Sequence, residues 1–365
     1  MTTVHQLVPT LSAPSAITTH VLEAAKVLRN MGIETKTYAE HAEGVPPEEA
    51  LPFSSYPAEA RRGVWLLYQL SIGHAMGDFL QCRPEPIIVN YHNITPAKYF
   101  RPWEPLFTGA LDQGRAQLRR LAKHSVAAIA DSAYNRNELD VAGYRDTGVV
   151  PVLVDYDALG SHHDEAVLQR LQSGRTPGGA EWLFVGRISP NKAQHQLIRA
   201  LAVYRRLYDP QARLTLAGGS SSHAYLTALT SFAQALGVSE GVRFTGPISQ
   251  PEMVSYYLNA DVFVSASEHE GFCIPVVEAM WHRVPIVALA SSAVRETVDD
   301  AGILIPTDAD RPTDPAVLAA AVHRAVTDAN LRCQLVTAGE RRASDFDLTV
   351  TSALFAEAVK RVIGS

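Results

Sequence analysis

The 365-residue chain has little cysteine, no long apolar run and no excess of positive charge, and each shortage excludes a class of protein. Its three cysteines, Cys82, Cys273 and Cys333, are odd in number, far apart and without Cys-x-x-Cys spacing. That argues against a disulfide scaffold, a zinc ribbon or a dithiol redox centre, and fits a reducing compartment. No stretch approaches the roughly 20 apolar residues of a membrane span. Met1 leads directly into Thr-Thr-Val-His-Gln-Leu-Val, without the basic and apolar regions of a secretory signal, so a cytoplasmic protein is expected. A formal net charge of −6 offers nucleic acid no whole-molecule attraction, and nucleic acid is not expected as a partner. What is present is ordinary: 47% hydrophobic and 19% charged residues, the composition of a globular protein long enough for about two domains.

The most informative stretch is Ser265 to Glu278. Asp261-Val-Phe-Val-Ser265 has the short β-branched and aromatic run of a strand buried on both faces of a parallel sheet. Gly271 permits a close approach of the backbone to a ligand. Pro275 suits the first turn of a helix, where its missing N–H is not needed. The amides of Phe272, Cys273 and Ile274 then fall at the start of that helix, where unpaired N–H groups and the dipole favour an anionic or hydroxyl-rich ligand. Glu270 on the loop and Glu278 about one turn into the helix both face the crevice at the strand's C-terminal end, where open α/β sheets bind ligands.

Strands and helices alternate through both halves. Val4–Val8, Val64–Gln69, Pro86–Tyr91, Val126–Ala130 and Val149–Val154 read as strands of a first domain, with helices after Ile17, at Ala75–Leu80, at Leu111–His124 and at Arg136–Val141. Pro46–Pro57 reads as a connector, and the polar stretch from Asp155 to Gly179 as linker around a short helical piece. Trp182–Arg187 opens a second set of strands, with Arg187 and Lys192 in the loop that follows. Leu111–His124 carries Arg115, Arg119, Arg120 and Lys123 beside Leu111, Leu118 and Leu121. A surface helix packed on a sheet accounts for that pattern, and peripheral membrane contact at the inner face is its alternative.

Together, Glu270-Gly-Phe-Cys-Ile-Pro-Val-Val-Glu278 and Arg187-x4-Lys192 resemble the Glu-x7-Glu and Arg-x4-Lys motifs of retaining nucleotide-sugar glycosyltransferases of family 4. The resemblance implies an α/β fold of GT-B type, two Rossmann-like doubly wound domains facing a central cleft. The expected division is an acceptor-side domain over 1–157, a linker over 158–179 and a nucleotide-sugar domain over 180–345, with a helix at about 346–365 crossing back to the first.

The site residues follow from the same resemblance. Arg187 and Lys192 grip the donor diphosphate and neutralise its charge as it departs, in place of a metal. Glu270, with the amides of Gly271, Phe272, Cys273 and Ile274, orients the sugar hydroxyls. Glu278 holds the ribose, and backbone near Pro247 and Ile248 meets the base. His92, in a His-Asn-Ile-Thr-Pro segment, faces the donor sugar, while Ser132 is a helix cap. The catalytic set is therefore Glu270, His92, Arg187 and Lys192, with no cofactor and no metal. Ser15-Ala16 stands where the family usually has a Gly-Gly pair, which puts Cβ atoms where amides would approach a phosphate.

The implied reaction is metal-independent, same-face transfer of a hexosyl unit from a GDP-mannose or UDP-hexose type donor to a saccharide, lipid-linked or small-molecule acceptor. A nucleotide-sugar 2-epimerase and an inert nucleotide-binding partner subunit are the alternatives.

Overall fold

In the computed structural model, which describes residues 2–12, 15–59, 62–308 and 313–364, the chain divides into two compact units. Residues 1–101, 105–154 and 346–365 form the first; 155–345 with 102–104 form the second.

The first unit runs β1 (Thr3–Ser12), α1 (Ala16–Asn30), β2 (Thr37–Glu43), β3 (Leu51–Pro52), β4 (Val64–Leu70), α2 (Ala75–Leu80), β5 (Ile87–Tyr91), α3 (Pro105–Leu121), β6 (Ser125–Ala130), α4 (Ala133–Ala142) and β7 (Thr147–Val149). Its seven strands are parallel in the order β3-β2-β1-β4-β5-β6-β7, so the winding reverses between β1 and β4. Alternation along β4 explains the layers. Leu66, Tyr68 and Leu70 pack with α2 and α3, while Leu67 turns to the other face against Leu28 of α1 and Phe355 of the last helix, Leu348–Ile363.

Two expectations in this unit are corrected. Val149–Val154 is not a strand: the ladder to β6 ends at Ala130↔Val149. Beyond it the Leu153 N–H donates to His20 Nδ1 at 3.1 Å instead of to a neighbouring strand. Pro46–Pro57 is more than a connector, since Leu51 and Pro52 pair with Tyr38 and Ala39 of β2 and a 3-10 turn follows at Phe53–Ser55. In the strand-to-helix loop expected after β1, residues 13 and 14 lie outside those described.

The second unit continues with α5 (Tyr156–Gly160), α6 (Glu165–Ser173), β8 (Glu181–Val185), α7 (Gln194–Leu207), β9 (Arg213–Ala217), α8 (His223–Ala235), β10 (Val242–Phe244), α9 (Gln250–Asn259), β11 (Val262–Ser265), α10 (Ile274–Trp281), β12 (Ile286–Leu289), α11 (Val294–Val298), β13 (Gly302–Ile305), α12 (Pro315–Thr327) and α13 (Ala329–Ser344). Six parallel strands lie in the order β10-β9-β8-β11-β12-β13. Trp182, Phe184, Val262 and Val264 point to one face with Leu197, Leu201 and Val322, and Leu183, Val185 and Phe263 point to the other with Val276 and Met280.

Residues 158–179 are linker by composition, yet they carry the rest of α5 and all of α6 as part of this unit. The Asp155 and Asp164 carboxylates accept from the amides of Ala158 and Val167, and Val167 and Leu171 are buried in the same cluster as Tyr256 and Tyr257. Polar caps at both helix starts account for the linker-like composition.

Candidate functional site

In the second sheet the order reverses between β8 and β11, and in such sheets the crevice opens at the C-terminal ends of the two strands flanking the reversal. The loop after β8 carries Arg187, Asn191 and Lys192; the loop after β11 carries Glu268 to Cys273. Hydrogen bonds stitch them together. Ser189 Oγ donates to Asn191 Oδ1 at 2.9 Å, Asn191 Nδ2 donates to the His269 carbonyl at 3.1 Å, and the Glu268 N–H donates to the Asn191 carbonyl at 2.8 Å. At the centre Lys192 Nζ pairs with the Glu270 carboxylate, with side-chain exposures of 18% and 9%. Withdrawal from water strengthens such a pair and makes either charge costly alone.

Arg187 differs from its neighbours. It is exposed, its carbonyl accepts from Gln194 Nε2 at 2.9 Å, and its guanidinium makes no ion pair among the described residues. The turn before it is tight: a Cβ on Gly218 would lie 2.3 Å from the Gly186 carbonyl oxygen, so only glycine lets the loops after β8 and β9 run this close. Pro247 and Ile248 follow β10 at the same end of the sheet. Gly218 and Gly246 form a bridge, a Cβ on Gly219 would touch the Pro247 ring, and Ile248 packs against the cluster that holds Cys273 and Tyr257.

α10 begins at Ile274, with Pro275 in its first turn and Cys273 as N-cap in the left-handed region at φ 77°. No side chain caps this end, and the amides of Gly271, Cys273 and Ile274 have no acceptor among the described residues. Burial, and after it the nearby Glu270 carboxylate, push the Cys273 thiol well above its usual range, so it remains a thiol. One turn on, Glu278 is buried and accepts from the Tyr257 hydroxyl at 2.9 Å. Burial raises its carboxyl from the ordinary 4.5 to about 7, against the opposing hydrogen bond from Tyr257. Glu278 is thus an interior carboxyl at the rim of the site, where the sequence pattern alone implies an open one.

The loop after β12 was not assigned to the site by its sequence, but it belongs there. Ser292 Oγ accepts the Glu270 N–H at 2.8 Å, Ser291 Oγ donates to the Ser267 carbonyl, and Thr297 Oγ1 donates to the Phe272 carbonyl at 2.7 Å. Asn191 and Tyr257 were missed as well. None of these residues sits in a periodic pattern or a recognisable spacing, so only the tertiary arrangement reveals them.

His92 belongs to the first unit, and its ring is committed inside it. Nδ1 lies 3.0 Å from the Asp131 carboxylate, Nε2 lies 2.7 Å from Gln69 Oε1, and the side chain is 2% exposed. The network continues through Asn90 to His20, whose fully buried ring is held well below the usual range by burial and then by His92. The His92 ring is thus held at both nitrogens by neighbours within the first unit. Ser132 caps α4 by accepting from the Asn135 N–H at 3.1 Å. Ser15 precedes α1 without a side-chain cap bond; Thr18 Oγ1 instead accepts from the Ser12 N–H at 2.9 Å. On α3, Leu111, Leu118 and Leu121 face the core, while Arg115 and Arg120 pair with Glu138 and Asp78.

Asp-x-Asp spacing does occur in the chain, at Asp155/Asp157, Asp308/Asp310 and Asp345/Asp347. Asp155 and Asp347 serve as helix caps, and residue 310 is outside those described. Among the described residues no three His, Cys, Asp or Glu side chains gather as a metal site, and no helix is long and apolar enough to cross a membrane.

Two Rossmann-like parallel-sheet units of this kind define a GT-B fold. Sucrose-phosphate synthase from Thermosynechococcus elongatus superposes with a TM-score of 0.76 at 18% identity, over 99% of both chains. Anabaena HepE, solved in complex with UDP-glucose, superposes with 0.73 at 18% identity, over 98% of this chain and 99% of its own. Within that fold, residues 169–342, most of the second unit, match the family described as Glycosyl transferases group 1. Among curated relatives, the D-inositol 3-phosphate glycosyltransferase of Geodermatophilus obscurus is 34% identical over 251 residues, covering 66% of this chain and 53% of that one. Its counterpart from Salinispora arenicola is 33% identical over 214 residues, covering 55% and 46%. The chain spans about half the length of these relatives.

Proposed function

We propose that the chain is a retaining glycosyltransferase that moves a hexosyl unit from a nucleoside diphosphate sugar to an acceptor hydroxyl, without a metal. The observation that carries this reading is the Lys192–Glu270 pair at the reversal of the second sheet, flanked by an exposed Arg187 and by the amides of Gly271, Cys273 and Ile274, which have no acceptor among the described residues. Cations beside such amides suit a diphosphate and a hydroxylated ring.

In this mechanism Arg187 and Lys192 neutralise the diphosphate as its bond to the anomeric carbon breaks. Glu270, released from Lys192 to the extent that the diphosphate engages the lysine, accepts hydrogen bonds from the sugar hydroxyls. Glu278 holds the ribose, its carboxyl able to donate as well as accept near neutral pH. The acceptor oxygen attacks the face that the diphosphate leaves, through an oxocarbenium-like state, and a departing phosphate oxygen takes its proton. No enzyme carboxylate acts as nucleophile. Pro247 and Ile248 supply backbone to the base, with a GDP-mannose or UDP-hexose type donor expected.

A saccharide, a lipid-linked sugar or a small molecule is the acceptor; the names of the curated relatives make inositol 3-phosphate the first to test. The test is incubation with GDP-mannose, UDP-glucose and UDP-N-acetylglucosamine, with and without inositol 3-phosphate and with and without chelator. Proton NMR of the product should give an α-linkage from an α-linked donor. A β-linked product, or turnover abolished by chelator, contradicts the reading; epimerised donor without acceptor points to the epimerase.

A further inference from the structure

Six non-glycine residues among those described have positive φ, and three of them, Ala193, Cys273 and Ser292, lie in the loops that meet at Lys192 and Glu270. Side chains seldom adopt such angles, and glycine does so freely. At Ser292, with φ 43°, the side chain makes a contact glycine cannot: its Oγ accepts the Glu270 N–H at 2.8 Å. The bond is one of several from a single segment. Ser291 Oγ donates to the Ser267 carbonyl, the Ala293 N–H to the Glu270 carbonyl at 3.4 Å, and Thr297 Oγ1 to the Phe272 carbonyl at 2.7 Å. The segment from Ser291 to Thr297 therefore lies along the 267–272 loop as a splint, and Ser292 holds the one residue whose carboxylate meets Lys192.

We infer that Ser292 is a positioning residue for Glu270, fixing the loop so that the carboxylate and the amides of Gly271, Cys273 and Ile274 are presented together to the donor sugar. This rests on the sugar-orienting role proposed for Glu270. Ser292 touches no reacting atom in this account. Its effect falls on the sugar end of the donor, whereas the nucleotide end is assigned to Arg187, Glu278 and the loop after β10. A purely structural role would weaken both ends alike.

The experiment compares wild type with Ser292→Gly and Ser292→Ala in two measurements. Hydrogen–deuterium exchange of the peptide spanning 266–273 should quicken at least tenfold in both variants, because the Glu270 amide loses its acceptor. Transfer assays and calorimetry with the free nucleoside diphosphate should give a kcat about tenfold lower or more, with the nucleotide Kd within twofold of wild type. Unchanged exchange overturns the inference whatever the activity. Loss of nucleotide affinity in step with kcat also overturns it, reducing Ser292 to a structural residue. Wild type that binds no nucleoside diphosphate defeats the functional reading itself and, with it, the catalytic purpose assigned to Ser292.

Discussion

Tyr257 donates its hydroxyl to Glu278 at 2.9 Å, in an interior where the Tyr257 ring also stacks on His282 at 5.1 Å between centroids. The bond fixes the second glutamate of the motif, while burial, which outweighs that bond, makes it titrate near neutrality.

A pH dependence follows. Glu278 has a folded pKa of about 7, above its ordinary 4.5, so its contribution to stability is complete below 4.5 and is lost as pH rises through 7. Ionising it in place costs roughly 3 kcal/mol. Thermal melts of Glu278→Gln relative to wild type, taken from pH 4 to 9, should therefore show the variant gaining ground as pH rises from 4.5 to about 7 and levelling off above it. In Tyr257→Phe the wild-type transition should move to higher pH, since the bond that favours the carboxylate is gone. A difference between Glu278→Gln and wild type that is constant with pH contradicts the assignment.

Arg187 separates binding from stability. It is exposed and without an ion pair among the described residues, so Arg187→Ala should change unfolding free energy by less than about 0.5 kcal/mol. Loss of a charge-assisted contact to a diphosphate should weaken nucleotide binding by roughly 10- to 100-fold. Denaturant titration and calorimetry on the same preparation check both halves.

Lys192 and Glu270 should behave as a coupled unit. Lys192→Met alone leaves a carboxylate that is only 9% exposed without its cation, and Glu270→Gln alone leaves the lysine. The double variant should be more stable than the sum of the single changes, with a coupling of about 1–3 kcal/mol in a denaturant double-mutant cycle. A coupling near zero would mean that the pair does not persist in solution.

His92 should matter to the first unit's stability. Truncation to Ala abandons the Asp131 carboxylate and the Gln69 oxygen in a site 2% exposed, at a cost of roughly 2–4 kcal/mol. Urea unfolding of His92→Ala measures it. A variant of unchanged stability that cannot transfer sugar would support a direct role for His92 at the donor sugar.

What could be read from the sequence was local. A β-branched run before Gly271, and Pro275 after it, announce strand, loop and helix through backbone preferences carried by the residues themselves, and β11 and α10 fall there. The reversal between β8 and β11 places the two motif loops side by side, which two α/β half-chains made legible in outline. Less visible were effects set by distant partners. Glu278 is interior because Tyr257 of α9 covers it, and Ser292 reaches Glu270 across the β12 loop. The Asp131 and Gln69 contacts at the two nitrogens of His92 also come from distant segments. The polar stretch from Asp155 to Gly179 shows one short helical piece in the sequence where two helices stand, because Asp155 and Asp164 are capping residues that resemble linker when read singly.

The central claim is a nucleoside diphosphate site built from Arg187 and Glu278, and calorimetric titration tests it most directly. GDP, UDP and ADP should each be titrated into wild type, Arg187→Ala and Glu278→Ala with chelator present. One nucleotide should bind wild type well and lose at least tenfold in affinity in both variants. No binding by any of the three, or binding indifferent to both substitutions, would contradict it.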